Sequence, residues 1–255
     1  MRAAGDPAPG AIYNDAAMKT LLLDLDDTLL GNPMETFVPA YFDALSRWAA
    51  PRVAPDKLIA ELLRSTRVMA ANDGSRGTNE EVFASEFYPA LGRDRAELEH
   101  FFARFYAERF PDLQGLTSRR PEARDLVDWA IARGLEVVIA TNPLFPAAAI
   151  EERLRWAGLP VAELDFALVT TYENMHASKA SPLYYREILE VVGSRPEECL
   201  MVGDHWEWDV LQPARAGIPA YWIADAGAAR PDAEAEPVGQ GTLAQLVPWI
   251  RRRAG

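Results

Sequence analysis

The sequence predicts an α/β fold in which a parallel sheet is wrapped on both faces by helices. Short apolar runs of strand character recur along the chain, with helical patterns between them. The runs are continuously hydrophobic rather than alternating, which is the pattern of strands covered on both sides. At 255 residues and 49% hydrophobic composition the chain has enough apolar surface to fill one large core, with or without a smaller insertion.

Taken in order, the predicted strands are Thr20 to Leu25 (TLLLDL), Leu135 to Ala140 (LEVVIA), Phe166 to Val169 (FALV), Cys199 to Val202 (CLMV) and Ala220 to Ile223 (AYWI). The helix Pro121 to Arg133 opens with proline in its first turn and stops at Gly134, leading directly into the second strand. Pro146 to Trp156, Pro182 to Val192 and Asp209 to Ala216 fill the same connecting role and are closed by Gly158, Gly193 and Gly217. Thr242 to Arg253 reads as a terminal amphipathic helix with a basic end. Between Leu30 and about Ser118 the pattern is helical with no buried strand, an insertion far longer than a loop. Within it Thr78 is spaced from Glu81 as in a capping box. Residues 1–18 are rich in Ala, Gly, Pro and Asp without periodicity and are expected to be disordered. The expected organisation is therefore a core of 19–30 and 119–255 with residues 31–118 inserted as a helical unit.

A formal net charge of −12 argues against a general nucleic-acid binder, whose affinity rests on basic contacts. No apolar run approaches the roughly 18 residues of a membrane span. The one cysteine, Cys199, can form no internal disulfide and reads as a small core residue. A cytoplasmic protein is expected, with no nucleic acid or membrane partner. An anionic substrate must then be met locally, by a metal ion or a few placed cations.

The run LLLDLDDTLL sets Asp24, Asp26 and Asp27 inside an apolar strand, where an unpaired carboxylate is costly. In an open parallel sheet, ligands bind at the carboxyl ends of the strands. The first four predicted strands or their following segments bring polar groups to that edge: Asp24, Asp26 and Thr28; Thr141 and Asn142; Lys179; and Gly203, Asp204 and Asp209. A divalent cation together with a lysine can compensate such a carboxylate cluster.

In this order and spacing the residues resemble the signature of the haloacid dehalogenase superfamily. Asp24-Leu25-Asp26-Asp27-Thr28 matches its DxDxT motif, Thr141 its strand-ending Thr or Ser, Lys179 its lysine, and Gly203-Asp204 with Asp209 its GDxxxxD motif. The resemblance covers about Lys19 to Ile223. It implies a Rossmann-like core and identifies the insertion with the family's helical cap. The lysine region departs from the family pattern, with Lys179-Ala180-Ser181-Pro182 in place of Lys-Pro.

The resemblance implies a magnesium-dependent phosphatase acting on a small-molecule phosphomonoester through an aspartyl-phosphate. Asp24 would be the nucleophile and Asp26 the acid and base. Thr141 and Asn142 would hold phosphoryl oxygens, and Lys179 would screen Asp24. Mg2+ would be held by Asp24, the Asp26 carbonyl and Asp204, with Asp209 behind them; Asp209 reads alternatively as a helix N-cap. Since i and i+2 share a face in a strand, Asp24 and Asp26 are expected on one side of the first strand. The second Asp favours phosphate over carbon-halogen chemistry.

The alternatives are a phosphomutase, a phosphonate hydrolase using Lys57, the lysine of the insertion, or a binding protein that kept the fold. In the loop Ala71 to Thr78, Arg76 is a candidate for a second anionic group of the substrate, or else a solvated surface arginine. His176 and His205 flank the motifs. Trp206 and Trp208 are read as core aromatics or as residues narrowing the entrance. A zinc site is unsupported, for lack of paired Cys or His ligands. Monomer and homodimer are both compatible with the sequence.

Overall fold

The computed structural model describes residues 18–225, 227–231 and 234–253; residues 1–17, nearly all of the segment expected to be disordered, lie outside them. Met18, the last residue of that segment, is packed into the core at 8% exposure.

In chain order the elements are β1 (Thr20–Leu23), β2 (Leu30–Gly31), α1 (Met34–Ala49), α2 (Pro55–Ala70), α3 (Asn79–Leu91), α4 (Arg95–Glu108), a 3-10 helix (Phe110–Leu116) and β3 (Ser118–Arg119). They continue with α5 (Pro121–Ala132), β4 (Glu136–Ile139), α6 (Ala147–Ala157), β5 (Leu168–Val169), α7 (Pro182–Val192), a second short 3-10 helix (Pro196–Glu198) and β6 (Cys199–Gly203). A π-helical turn (Trp206–Leu211) runs into α8 (Gln212–Arg215), followed by β7 (Ala220–Ile223), β8 (Gly239–Gly241) and α9 (Leu243–Arg253).

Six strands form one sheet in the order β5-β4-β1-β6-β7-β8, and every pair is parallel. β1 lies between β4 and β6, with Leu21 beside Val137 on one side and Leu200 on the other. Residues alternate between two buried faces. Leu21, Leu23, Val137, Ile139, Leu200 and Val202 pack on one, and Leu22, Val138, Met201 and Cys199 on the other. This is why the strands read as unbroken apolar runs. The chain extends from β1 in both directions, so the carboxyl end of β1 is the topological switch point where such sheets bind ligands.

Several boundaries differ from expectation. β1 ends at Leu23, because the chain turns at Asp24 to present the acidic residues. β5 has two residues where four were expected, and β8, the segment GQG, carries no apolar run to announce it. The helix expected from Asp209 begins earlier, as the π turn at Trp206. α7 keeps its predicted bounds and ends on Gly193 at φ 66, a left-handed conformation that glycine adopts without strain.

α1 to α4 lie between β2 and β3, which pair antiparallel and bring the two chain passages side by side. Thr78 and Glu81 form the capping box of α3, each side chain accepting from the other's backbone N–H. The helices share one apolar cluster with the sheet, and Phe110 stacks on Trp156 of α6 at 5.4 Å. Among the described residues no helix is long and apolar enough to cross a membrane.

Candidate active site

The loop that follows β1 begins the site. The Asp24 N–H donates to the Val202 carbonyl at 2.9 Å, extending the sheet by one bond before the chain turns. Asp27 then takes φ 56, a strained conformation for a residue other than glycine, and its Oδ1 accepts the Asn32 N–H at 2.9 Å. The turn sends Asp24 and Asp26 to different partners. The expectation that strand pitch alone pairs them is corrected: β1 has already ended, and they reach one cavity through a loop.

Lys179 Nζ lies 2.6 Å from both Asp24 Oδ1 and Asp209 Oδ1, and its side chain is 1% exposed. Its approach is secure despite the altered sequence after it, because the Lys179 N–H also donates to Asn142 Oδ1 at 3.3 Å. The Thr141 carbonyl accepts from Thr170 Oγ1 at 2.8 Å and Tyr184 OH at 2.9 Å. Thr141 and Asn142 are thereby positioned in the cavity wall.

Asp204 follows β6 and accepts from Thr28 Oγ1 at 3.3 Å. Gly203 has to be glycine, since a Cβ there would stand 2.3 Å from the Asp209 carboxylate. Asp209 does not serve as an N-cap. It lies within the π turn, where Oδ2 accepts the His205 N–H at 3.0 Å and Oδ1 pairs with Lys179.

Electrostatically the site holds excess negative charge. Burial raises the Asp24 carboxyl to about 7 against the pull of Lys179. Asp204 is pushed up to about 7 by burial and then by the charge of Asp24. Burial raises Asp209 as well, again opposed by Lys179. Burial disfavours the Lys179 charge, yet Asp209 and Asp24 outweigh it and hold its pKa well above the ordinary lysine value.

Asp24, Asp204 and Asp209 each offer an oxygen within 4.8 Å of the others. Three crowded carboxylates, Asp24 and Asp209 buried and Asp204 half-buried, are an all-oxygen donor set of the kind a hard divalent cation takes. The donors present therefore fit magnesium. The Asp26 side chain is not part of this group. Its Oδ1 accepts from Asn32 Nδ2 at 2.7 Å, and its Oδ2 from Arg153 Nη1.

Arg153 and Asn32 were not singled out in the sequence. Arg153 is 1% exposed on α6, in the same apolar stripe as Ala149, Ile150 and Leu154. An arginine in that stripe is the signal that marks it. Asn32 is fully buried, with no comparable signature.

Arg76 is not in the site. Its Nη2 donates to Glu86 Oε1 of α3 at 2.9 Å on the surface, and it does not line the cavity. The loop carrying it is fastened to the segment before Lys179: Asp73 bridges to Ala177, and the buried Asn79 donates to the carbonyls of Ala177 and Pro143 at 3.1 and 3.3 Å. Lys57 Nζ lies 3.4 Å from the Leu91 carbonyl and does not line the cavity. His176 pairs with Glu187 at 2.6 Å away from the site, whereas His205 lines the cavity, stacked on Trp208 at 3.9 Å. The two tryptophans divide: Trp206 is buried against Trp222 at 5.0 Å, and Trp208 forms part of the cavity wall.

The cavity measures about 590 Å3. Asp24, Asp26, Thr141, Lys179, Asp204 and Asp209 line it together with residues of α1 to α4.

Residues 18–217 match the family model of haloacid dehalogenase-like hydrolases. A phosphoserine phosphatase of Thermus thermophilus is 31% identical over 242 residues, covering 86% of this chain and 94% of that protein. A phosphoglycolate phosphatase of Rhodospirillum rubrum is 30% identical over 206 residues, covering 79% and 77%. In fold the chain resembles the crystal structure of a 2-haloacid dehalogenase from Pseudomonas syringae pv. tomato, with a TM-score of 0.64 at 24% identity over 93% of this chain and 100% of that one.

Proposed function

Because the chain belongs to the haloacid dehalogenase-like hydrolases, we propose that it is a magnesium-dependent phosphatase that cleaves a small-molecule phosphomonoester through an aspartyl-phosphate on Asp24. The observation that carries this reading is the division of labour between two carboxylates in one cavity. Asp24 is held by Lys179, and Asp26 stands apart, oriented by Asn32 and Arg153.

Asp24 attacks phosphorus, the bond to the leaving oxygen breaks, and Asp26 supplies that oxygen with its proton. Asp26 then takes a proton from the water that attacks the aspartyl-phosphate, which regenerates Asp24. Thr141 and Asn142 hold phosphoryl oxygens, while Lys179 offsets the repulsion between Asp24 and the incoming anion. Asp24, the Asp26 carbonyl and Asp204 would hold the magnesium ion, with Asp209 behind them. When bound, the ion supplies charge neutralisation at the phosphoryl group. In this reading residues 19–30 and 119–255 are the catalytic core, and residues 31–118 a helical cap that shields the reaction from water. The buried Cys199, the one cysteine of the sequence, suits a reducing cytoplasm.

A carboxylate placed to serve the leaving oxygen favours hydrolysis of phosphate esters over attack on carbon. Lys57, turned to a backbone carbonyl, lends no support to a phosphonate hydrolase. The test is release of inorganic phosphate from p-nitrophenyl phosphate, with and without magnesium. Turnover that requires the metal and is lost in Asp24→Asn is expected; undiminished turnover by that variant rejects the reading.

A further inference from the structure

We propose that the alcohol released from the substrate is bulky, uncharged and largely apolar, bearing a ring or an extended alkyl chain. This rests on the phosphatase reading above and specifies its substrate class. A cavity of about 590 Å3 is drug-sized, far larger than a phosphoryl group needs. Its walls include ten Phe, Tyr and Trp residues. Phe42, Phe83, Phe87 and Phe102 come from the inserted helices, and Phe145 and Tyr172 from the core. The Tyr41 and Tyr106 hydroxyls bond each other at 2.9 Å, so their polar ends are satisfied and their rings serve as wall.

The charges in the cavity exclude the small acidic alcohols that a polar site would take. The one charged lining residue from α1 to α4, among the described residues, is Glu35, an acid. Lys179 is committed to Asp24 and Asp209. Arg153 pairs with Asp26 through Nη1, its guanidinium 4.7 Å from the centre of the Phe145 ring; its Nη2 has no hydrogen-bond partner but is fully buried, so it presents no surface to the cavity. His205, also in the cavity wall, is stacked on the Trp208 ring at 3.9 Å. A carboxylate on the leaving group would meet no available cation and would sit opposite Glu35.

The experiment compares n-alkyl monophosphates from ethyl to hexyl with ω-carboxyalkyl phosphates of equal length, in the presence of magnesium. The alkyl alcohols are of near-equal acidity, so chain length reports burial of the leaving group. kcat/KM is expected to rise about fourfold per methylene while the cavity is being filled. The carboxylated partner is expected to fall by roughly 30-fold or more. Binding of the matching alkylphosphonates, followed by calorimetry, should show the same dependence on length. In Val38→Arg, which places a cation on the half-buried wall of α1, the preference should shift by about 10-fold or more toward the carboxylated series.

Rates flat with length, or faster for the carboxylated esters, overturn the inference and leave the phosphatase reading intact. No turnover of any phosphate, with phosphonate affinity still rising with length, overturns the phosphatase reading and supports the apolar site. Absence of both turnover and length-dependent binding overturns both.

Discussion

Arg153 and Asp26, 127 positions apart in sequence, form an ion pair in the lining of the cavity. The arginine side chain is 1% exposed and the aspartate 14%, so little water is available to replace either partner. The pair fastens α6 to the loop after β1 and fixes which way the proposed acid and base points.

Removing the arginine strands a carboxylate in a mostly buried position. Arg153→Gln is expected to lower unfolding free energy by about 3 kcal/mol in urea titrations, and to lower kcat more than it raises KM. Asp26→Asn in the same background should add little further loss, and the double-mutant cycle reports the coupling. Independent, additive effects would dissolve the pair as a unit.

Asp24→Asn is expected to fold normally while losing at least about 1,000-fold in kcat, since an amide is a poor nucleophile. Lys179 keeps Asp209 as its partner, and one buried charge is relieved, so the melting temperature should hold or rise. A variant that fails to fold would show that the Lys179–Asp24 pair is structural first.

Excess chelator should abolish turnover, and magnesium should restore it. The metal should also stabilise the fold, because it binds the native carboxylate cluster only: a concentration about 100 times Kd adds about 2.7 kcal/mol. Differential scanning calorimetry against magnesium concentration checks this. A melting temperature indifferent to the metal would remove Asp24 and Asp204 as its ligands.

Glu198 supplies a pH dependence remote from the site. Its hydrogen bond with Arg195, then that with Lys19, lowers its pKa from 4.5 to about 2. A carboxyl whose folded pKa is depressed contributes stability above its unfolded pKa, and loses it as pH falls through the folded one. Glu198→Gln is therefore expected to be less stable than the wild type at pH 7, the gap closing between pH 4.5 and about 2. Urea midpoints at pH 7, 4 and 3 measure it; a constant gap would contradict the ion-pair origin.

Arg76→Ala should leave kcat and KM unchanged on every phosphate tested and cost no more than about 1 kcal/mol, as for other exposed pairs. A raised KM would return Arg76 to the substrate.

What was legible in the sequence is what local pattern encodes. Asp24 and Asp204 announce themselves because a carboxylate at the end of an apolar strand has no structural reason to be there. The Thr78–Glu81 capping box and the Gly193 stop depend on neighbours within a few residues, and both formed as spaced. β8 was missed because GQG pairs through its backbone, without an apolar run to signal it. Tertiary structure decided the rest, since contacts between distant residues leave no periodicity. It closed Arg153 onto Asp26, turned Arg76 to Glu86, and brought aromatic rings from the inserted helices and the core around one volume. The sequence by itself determined which groups arrive at the sheet edge; only the packed chain decided which charges were already neutralised and how apolar the space above them became.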